Sequence, residues 1–445
     1  MAVSVCSVLM VGCDLLFSCS DLQHHHHLTH LYHCSHSLLK GNRFDIVLRN
    51  ICVKECGEEM SSAVSLEERL STISSTLKSA AKCMKESGFI NYFGMQRFGK
   101  FHDTHLVGIA VLKGDFEMAC DIIMRIKEHE NEKCVATREK WAARFAGVDM
   151  EDDNAVKDAE MKCAKVVSRE LGRFMNCESS IVSSLCRSPR DYKKAFGSIA
   201  KHMRSMFLHA YQSYIWNKVA SHRIADGGGK EVRVGDLVLV QDKGHKDGGN
   251  GTSGLKGKAV KEVNQDDVEM CKYSITDVVL PLVGSKIEYP TDSSGDIYED
   301  LLAEDGLTKQ DFDNIKDREL AVGGDYRKVI CKPLDVDYEI KLYNDPLQPL
   351  IKTDLMNVHN ASLECVDVTV TSDVATSTLV ADKSDKNEDS RKLVGMVIGF
   401  TLPPSAYATI ALRELMRRPT SSQYQTELLL EGDCEGNVGK TSKSE

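Results

Sequence analysis

The segment NYFGMQRFG, Asn91–Gly99, stands where a strand-and-helix unit gives way to a long helical stretch. Upstream of it, Phe44, Ile46 and Leu48 alternate with Asp45, Val47 and Arg49, the period of a half-buried strand. Ser65 and Glu68 form an S-x-x-E capping box. Leu66, Leu70, Ile73, Leu77, Ala81 and Met84 follow at three- and four-residue spacing, an amphipathic helix that Gly88 closes. Downstream, the chain from His105 to about Met175 has a charged, helical composition. A further helical stretch, Phe196–Arg223, carries the aromatics Phe207, Tyr211, Tyr214 and Trp216 beside Lys201, Arg204, Lys218 and Arg223.

Further along, Val232–Gln241 predicts a short strand, and the Gly- and Lys-rich tract Lys243–Lys258 predicts a flexible loop. Strand character returns at Lys328–Cys331 and in the alternation of Val336, Tyr338, Ile340 and Leu342. Asp367–Lys392 is a polar Thr/Ser/Asp/Lys insertion, expected to be disordered. A final strand, Leu393–Leu402, runs into Pro403 and Pro404 and a helix from Ser405 to about Arg417. No internal repeat is present. The order strand, helix, long helical insert, strands, helix predicts an α+β domain interrupted by a second domain.

Composition narrows the function classes. The 445 residues are 42% hydrophobic and 27% charged, which excludes a disordered, collagenous or disulfide-scaffold chain and leaves room for several domains. The longest largely apolar stretch, Val3–Cys13, falls well short of the roughly 18 residues that span a bilayer. A net charge of −10 argues against a uniformly basic nucleic-acid binder, but the charge is unevenly spread. Ile181–Asp236 holds ten Lys/Arg against four acids, and Lys261–Asp325 holds six against seventeen. Such separated fields steer a polyanion onto one face, or are a solvated surface that varies along the chain. The sixteen cysteines form no C-x-x-C pair, so the simplest expectation is a reduced intracellular compartment with buried or idle thiols.

The stretch before Lys40 differs from the rest. It has no Lys or Arg, while Cys6, Cys13, Cys19, Cys34 and seven histidines, His24–His27 among them, crowd into it. Imidazole and thiolate suit zinc or nickel, but the spacing matches no closed tetrahedral site. A secretory signal would need a positive n-region. The remaining reading, and the one the motifs below favour, is an alternative or foreign start joined to a domain already under way.

At NYFGMQRFG the chain resembles the signature of the TruD family of RNA pseudouridine synthases. Four further stretches agree in order: GNRFDIVLRN at Gly41–Asn50, HAYQSYIWNKVASHRI at His209–Ile224, GDYRKVICKP at Gly324–Pro333, and FTLPPSAYATIALRE at Phe400–Glu414. The HAYQSYIWN form is most similar to the eukaryotic pseudouridine synthase 7 branch. The resemblance implies an α+β catalytic domain with a mixed sheet, split between residues 40–102 and 325–418. A mainly helical TRUD domain would be inserted at 103–324, the two flanking a basic cleft for RNA. Residues 1–39 would be a non-family segment and 419–445 a disordered tail. It further implies conversion of uridine to pseudouridine without a cofactor or a metal, in tRNA of the position 13 class and in messenger or other non-coding RNA. The expected location is intracellular, in the nucleus or cytoplasm.

An extruded uracil needs a π-face, worth about 1–3 kcal/mol per base, and hydrogen bonds on its edge. Through the family's N-x-F pattern the resemblance implies that Phe93 stacks on the base, with a partly exposed ring. Asn91 would brace the loop or the catalytic site. A core phenylalanine and a turn asparagine are the plain alternative. Gln96 and Arg97 are candidates for supporting or phosphate contacts, or for a structural role. Tyr211, Gln212 and Trp216, at helical spacing, read as packing, and Arg413 on the last helix faces the site or a salt bridge.

Family members carry the catalytic aspartate in a G-x-K-D-K/R-x-A segment ahead of the GNxF strand. The only acids before Gly41 here are Asp14 in GCDLL and Asp21 in CSDLQ, and neither sits in that pattern. The resemblance therefore supplies the substrate-binding candidates Phe93, Asn91, Arg97 and Gln96 but no nucleophile. It implies an N-terminally truncated, inactive member. A non-catalytic RNA-binding module and a truncated gene product are the alternatives.

Overall fold

The computed structural model describes residues 2–17, 39–55, 58–59, 66–127, 130–172, 175–229, 231–240, 260–313, 320–345, 348–352, 370–371 and 393–418. The Lys243–Lys258 loop, most of the Asp367–Lys392 insertion, the tail from 419, the histidine cluster and the Ser65 cap lie outside them.

The chain divides into two compact units. The first, Met1–Asn91 with Ile330–Glu445, opens with strands β1 (Ala2–Phe17), β2 (Leu39–Glu55) and β3 (Glu58–Glu59), helix α1 (Leu66–Ser87) and the short β4 (Phe89–Ile90). The chain then builds the second unit, Tyr92–Gly244 with Gly254–Val329. Its helices are α2 (Thr104–Leu112), α3 (Phe116–Met124), α4 (Glu132–Ala142), α5 (Asp153–Glu170), α6 (Asn176–Leu185), α7 (Tyr192–Gly197) and the long α8 (Lys201–Arg223). Then come β5 (Leu237–Leu239), β6 (Val260–Glu262), α9 (Gln265–Glu269), β7 (Val278–Leu282), α10 (Ser293–Glu304), α11 (Lys309–Asp313) and β8 (Asp325–Lys328). The chain returns to the first unit with β9 (Ile330–Cys331), β10 (Leu334–Tyr343), β11 (Val370–Thr371), β12 (Leu393–Leu402) and α12 (Ala408–Met416).

The fold class is α+β. In the first unit the sheet runs β1-β2-β12-β10-β11, with β3 beside β2, and among the described residues its pairings are antiparallel, not mixed as the resemblance implies. Strands from the two ends of the chain thus meet in register. Phe44 lies opposite Phe400, Ile46 opposite Ile398 and Leu48 opposite Met396, and β12 in turn pairs Ile398 with Tyr338 and Met396 with Ile340. Because side chains alternate across a strand, these residues share one face. They are buried, the Phe44 and Phe400 rings 5.9 Å apart. The stripe Ile73, Leu77, Ala81 and Met84 of α1 is buried as its spacing predicts, and α1 packs against β2, β10 and α12. Gly88 ends α1, its N–H donating to the Met84 carbonyl at 3.0 Å with φ of 74°. A Cβ there would collide with the carbonyl of Cys331, so this glycine also admits the β4–β9 pairing.

The opposite face of the sheet is polar at its Arg43 end, while Val47 and Tyr343 on that face are buried with Leu350. Arg43 donates to Asp337 Oδ2 at 2.8 Å and to Asp45 Oδ1 at 3.0 Å. A Cβ at Gly399 would collide with both Arg43 and Asp337, which is why a glycine stands there. The pairing of β1 with β2, from Ala2 opposite Lys54 to Phe17 opposite Leu39, was not legible in the sequence. An apolar run without alternation does not tell strand from helix.

The second unit is mainly helical, with a small antiparallel sheet of order β6-β5-β7-β8. Its core gathers Val107, Ile123, Trp141, Val167, Ile181, Phe196 and Leu208 from successive helices. The cuts between units fall at Asn91/Tyr92 and Val329/Ile330, where the resemblance implies His102/Asp103 and Gly324/Asp325. The backbone after Asn91 goes with the helical unit because α8 holds it, as described next. No helix among the described residues is long and apolar enough to cross a membrane.

Candidate functional site

β4 delivers the chain to Asn91, which is buried, and the loop then turns through a short 3₁₀ helix, Met95–Phe98. Gly94 and Gly99 flank that turn, and the Arg97 N–H donates to the Gly94 carbonyl at 3.0 Å. The turn buries none of its residues: Met95 and Gln96 are exposed, and Arg97 and Phe98 are half-buried. Thr104, in the first turn of α2, donates its hydroxyl proton to the Phe98 carbonyl at 2.7 Å and ties the far end down.

Phe93 is held by α8. The Phe93 N–H donates to Asn217 Oδ1 at 2.9 Å, and Asn217 Nδ2 donates back to the Phe93 carbonyl at 3.1 Å. Trp216, fully buried, meets the Phe93 ring edge-on, with centroids 5.8 Å apart and planes at 87°. The indole is itself fixed by donation from Nε1 to the Leu280 carbonyl of β7 at 3.2 Å. One turn further along α8, Ser221 lies 2.9 Å from the Tyr92 hydroxyl. From β8, the Arg327 guanidinium carbon lies 4.0 Å from the Phe93 centroid and 5.4 Å from that of Trp216. That of Arg97 lies 5.4 Å from the Phe93 centroid.

The expectation of a partly exposed Phe93 ring is not met: the residue is 6% exposed, closed by Trp216 and Arg327. The side chain of this group that reaches solvent is Arg97, whose buried Nε has no hydrogen-bond partner. A guanidinium plane stacks on bases and donates to carbonyl or phosphate oxygens, so Arg97, half-buried beside the Phe93 ring, is the cation of this group suited to a nucleotide. Tyr211, Gln212 and Trp216 are all interior. The Tyr211 hydroxyl donates to Asp305 at 3.0 Å, and burial raises its pKa strongly. The Gln212 amide donates to the carbonyls of Val283 and Gly323. Arg413 is exposed on α12.

Beside this group, His105 stacks on Tyr214 at 4.3 Å, and the Lys218 ammonium sits 5.0 Å over the same tyrosine. Its hydrogen bond to Tyr214 raises the Lys218 pKa. Much of the basic stretch Ile181–Asp236 is engaged within the protein. Arg204 is buried and donates to the Ile199 carbonyl, Arg223 is buried on Asp236, Arg190 pairs with Glu117, and Arg233 with Asp226. Lys201 stays exposed and Lys218 half-exposed. No cluster of His, Cys, Asp or Glu able to hold a metal occurs among the described residues, and Cys83, Cys120, Cys134, Cys163, Cys177, Cys186, Cys271 and Cys331 are free thiols.

The sequence pointed to Phe93, Asn91, Gln96 and Arg97 but not to Asn217 and Arg327. Both lie inside motif stretches, HAYQSYIWNKVASHRI and GDYRKVICKP, yet nothing in the spacing tells which side chain of a motif grips which loop.

A family model described as tRNA pseudouridine synthase D (TruD) matches residues 18–347. The multisubstrate pseudouridine synthase 7 of Schizosaccharomyces pombe is 33% identical over 415 residues, covering 88% of this chain and 51% of that protein. The pseudouridylate synthase 7 homolog of Homo sapiens is 32% identical over 395 residues, covering 88% and 48%. Among solved structures, a putative tRNA pseudouridine synthase D (TruD) from Methanosarcina mazei superposes with a TM-score of 0.56 at 22% identity. That likeness covers 86% of this chain and 70% of the other, and it speaks for the fold alone. The chain belongs to the TruD family of pseudouridine synthases, which isomerise uridine in RNA. It spans about half the length of the curated relatives it matches.

Proposed function

We propose that this chain serves uridine-to-pseudouridine isomerisation in RNA, in tRNA of the position 13 class and in other RNAs, within the nucleus or cytoplasm. In that reaction the bond between uracil N1 and the ribose C1′ breaks and one from C5 to C1′ forms. The C5 proton leaves and N1 gains one, so no cofactor is required. The split unit, with its sheet drawn from both ends of the chain, is assigned as the catalytic domain, and the helical unit as the inserted TRUD domain. Arg97 and Gln96 on the Asn91–Gly99 loop are assigned to the flipped base and its neighbouring phosphates, with the buried Phe93 and Asn91 assigned to the support beneath them.

The observation that carries this reading is the cation and aromatic cluster built on NYFGMQRFG, in a chain of this family. Its outward member, Arg97, is half-buried beside the Phe93 ring and offers a planar cation for a base to stack on. The 445 residues contain no G-x-K-D-K/R-x-A segment, so these residues by themselves are assigned RNA binding without turnover. The test is a tRNA transcript carrying tritium at C5 of its uridines. Salt-dependent binding is expected, with no release of tritium by this chain alone. Turnover comparable with that of a full-length relative would refute the assignment of no turnover, and absence of tRNA binding would refute the function.

A further inference from the structure

We infer that Asn217 is a positioning residue for base recognition, acting through a two-way clasp on the backbone of Phe93, with Arg327 holding the ring. The inference rests on the assignment of the Asn91–Gly99 loop to the target base and goes beyond it to the device that sets the loop's geometry.

Asn217 offers Phe93 one acceptor and one donor, at 2.9 and 3.1 Å, as the peptide group of a neighbouring strand would. Both bonds form in only one orientation of the amide, since Phe93 itself presents one N–H and one carbonyl. Aspartate supplies half of the clasp and alanine none. The carrier is rigid: α8 runs from Lys201 to Arg223 and is buried at Ile215, Trp216, Val219 and Ala220 around the contact. Ser221 donates its proton to the Asn217 carbonyl at 2.9 Å, so its contact with Tyr92 is one in which the tyrosine hydroxyl donates. Positions 216, 217 and 221 of one helix therefore fix ring edge, backbone and preceding side chain of the dipeptide Tyr92–Phe93. Arg327 completes the hold, 4.0 Å from the ring centroid, with Nη2 3.4 Å from the Tyr92 carbonyl. Arg97 sits over a ring that cannot shift, and sites placed on rigid elements are held more closely than sites on free loops. Loss of the clasp should therefore weaken recognition of the base while leaving contacts to the phosphates intact.

The experiment compares two RNA oligonucleotides, one with a central uridine and one with an abasic site there, binding to the whole chain and to Asn217→Ala, Asn217→Asp and Arg97→Ala variants. Affinities are taken per folded molecule, with Asn217→Asp, which keeps the acceptor for the Phe93 N–H, covering the case in which Asn217→Ala does not fold. The preference for uridine over the abasic strand is expected to fall about tenfold in Asn217→Ala, by less in Asn217→Asp, and to vanish in Arg97→Ala. Affinity for the abasic strand should stay within about twofold for the Asn217 variants. Loss of preference in Arg97→Ala with full preference in both Asn217 variants would overturn the clasp and spare the loop assignment. An Asn217 variant that loses affinity for both strands alike would also overturn the clasp, as a general structural effect. No preference in the unaltered chain, or full preference in Arg97→Ala, would overturn the loop assignment and the clasp with it.

Discussion

In the first unit the charged side chains Arg43, Asp45, Asp337 and Glu339 lie at least partly exposed on a sheet face that also buries Val47 and Tyr343 against Leu350, the other face being apolar. In the second unit Arg138, Glu160, Glu178, Arg223 and Asp236 lie inside, among helices. The Asp337 side chain is 59% exposed, whereas Arg223 and Asp236, 2.5 Å apart, are essentially sealed. The difference teaches that a count of Lys and Arg along a stretch is no measure of the field it presents. Of the ten basic residues between Ile181 and Asp236, Arg190, Arg204, Arg223 and Arg233 are bonded within the protein. The same contrast separates two kinds of ion pair, one screened by water and one whose partners depend on each other.

The sharpest way to break this comparison is to remove one acid from each unit. Asp236→Ala would leave the Arg223 guanidinium buried without its counterion and the Arg233 N–H without its acceptor. A destabilisation of about 3–5 kcal/mol is expected. Asp337→Ala leaves Arg43 with Asp45 on a wet surface and should cost less than about 1 kcal/mol. Urea unfolding of the two variants measures both. Equal losses would show that burial does not distinguish these pairs.

How far the sequence carried depended on the same distinction. Alternation in a strand is set by two-residue geometry, so the half-buried strand through Phe44, Ile46 and Leu48 lies within β2, while the ten-residue apolar run Leu393–Leu402, closed by Pro403 and Pro404, falls where predicted without alternating. The buried stripe of α1 was legible from its three- and four-residue spacing. Val278–Leu282, VVLPL, was not, because a run of five residues shows no period and a proline within it is uncommon in a paired strand. At the candidate site the loop NYFGMQRFG was legible through its resemblance to the family signature. Its closure was not: that Phe93 is covered by Arg327, 234 residues away in sequence, is a tertiary contact no local pattern encodes.

A second test takes the basic stretch apart by exposure. Lys201→Glu with Lys218→Glu should flatten the log–log salt dependence of tRNA binding, each single-stranded phosphate contact being worth a slope of about 0.7. Arg204→Met removes a cation that donates to the Ile199 carbonyl from a buried position, and the slope per folded molecule should not change. A slope that falls as much for Arg204→Met as for the lysine pair would return the whole stretch to the surface field that the sequence count describes.

The smallest expected effect concerns His105, which the second unit half-buries between Tyr214 and Phe98. Burial lowers its pKa below the ordinary 6.5, Asp305 and Asp103 opposing and Lys218 and Arg125 assisting. The sign follows from proton counting. Between the lowered folded value and 6.5 the unfolded chain binds more protons than the folded one, so stability rises with pH across that window. The contribution is complete above 6.5 and is lost as pH falls through the folded value. His105→Phe keeps an aromatic ring for Tyr214 and Phe98 to pack on and removes the titration, so the variant should lose part of the slope of stability against pH below 6.5 while matching the parent above it. Thermal unfolding across that range measures the slope. A variant as acid-sensitive as the parent would assign the slope to other groups and leave His105 a packing residue whose charge state does not matter.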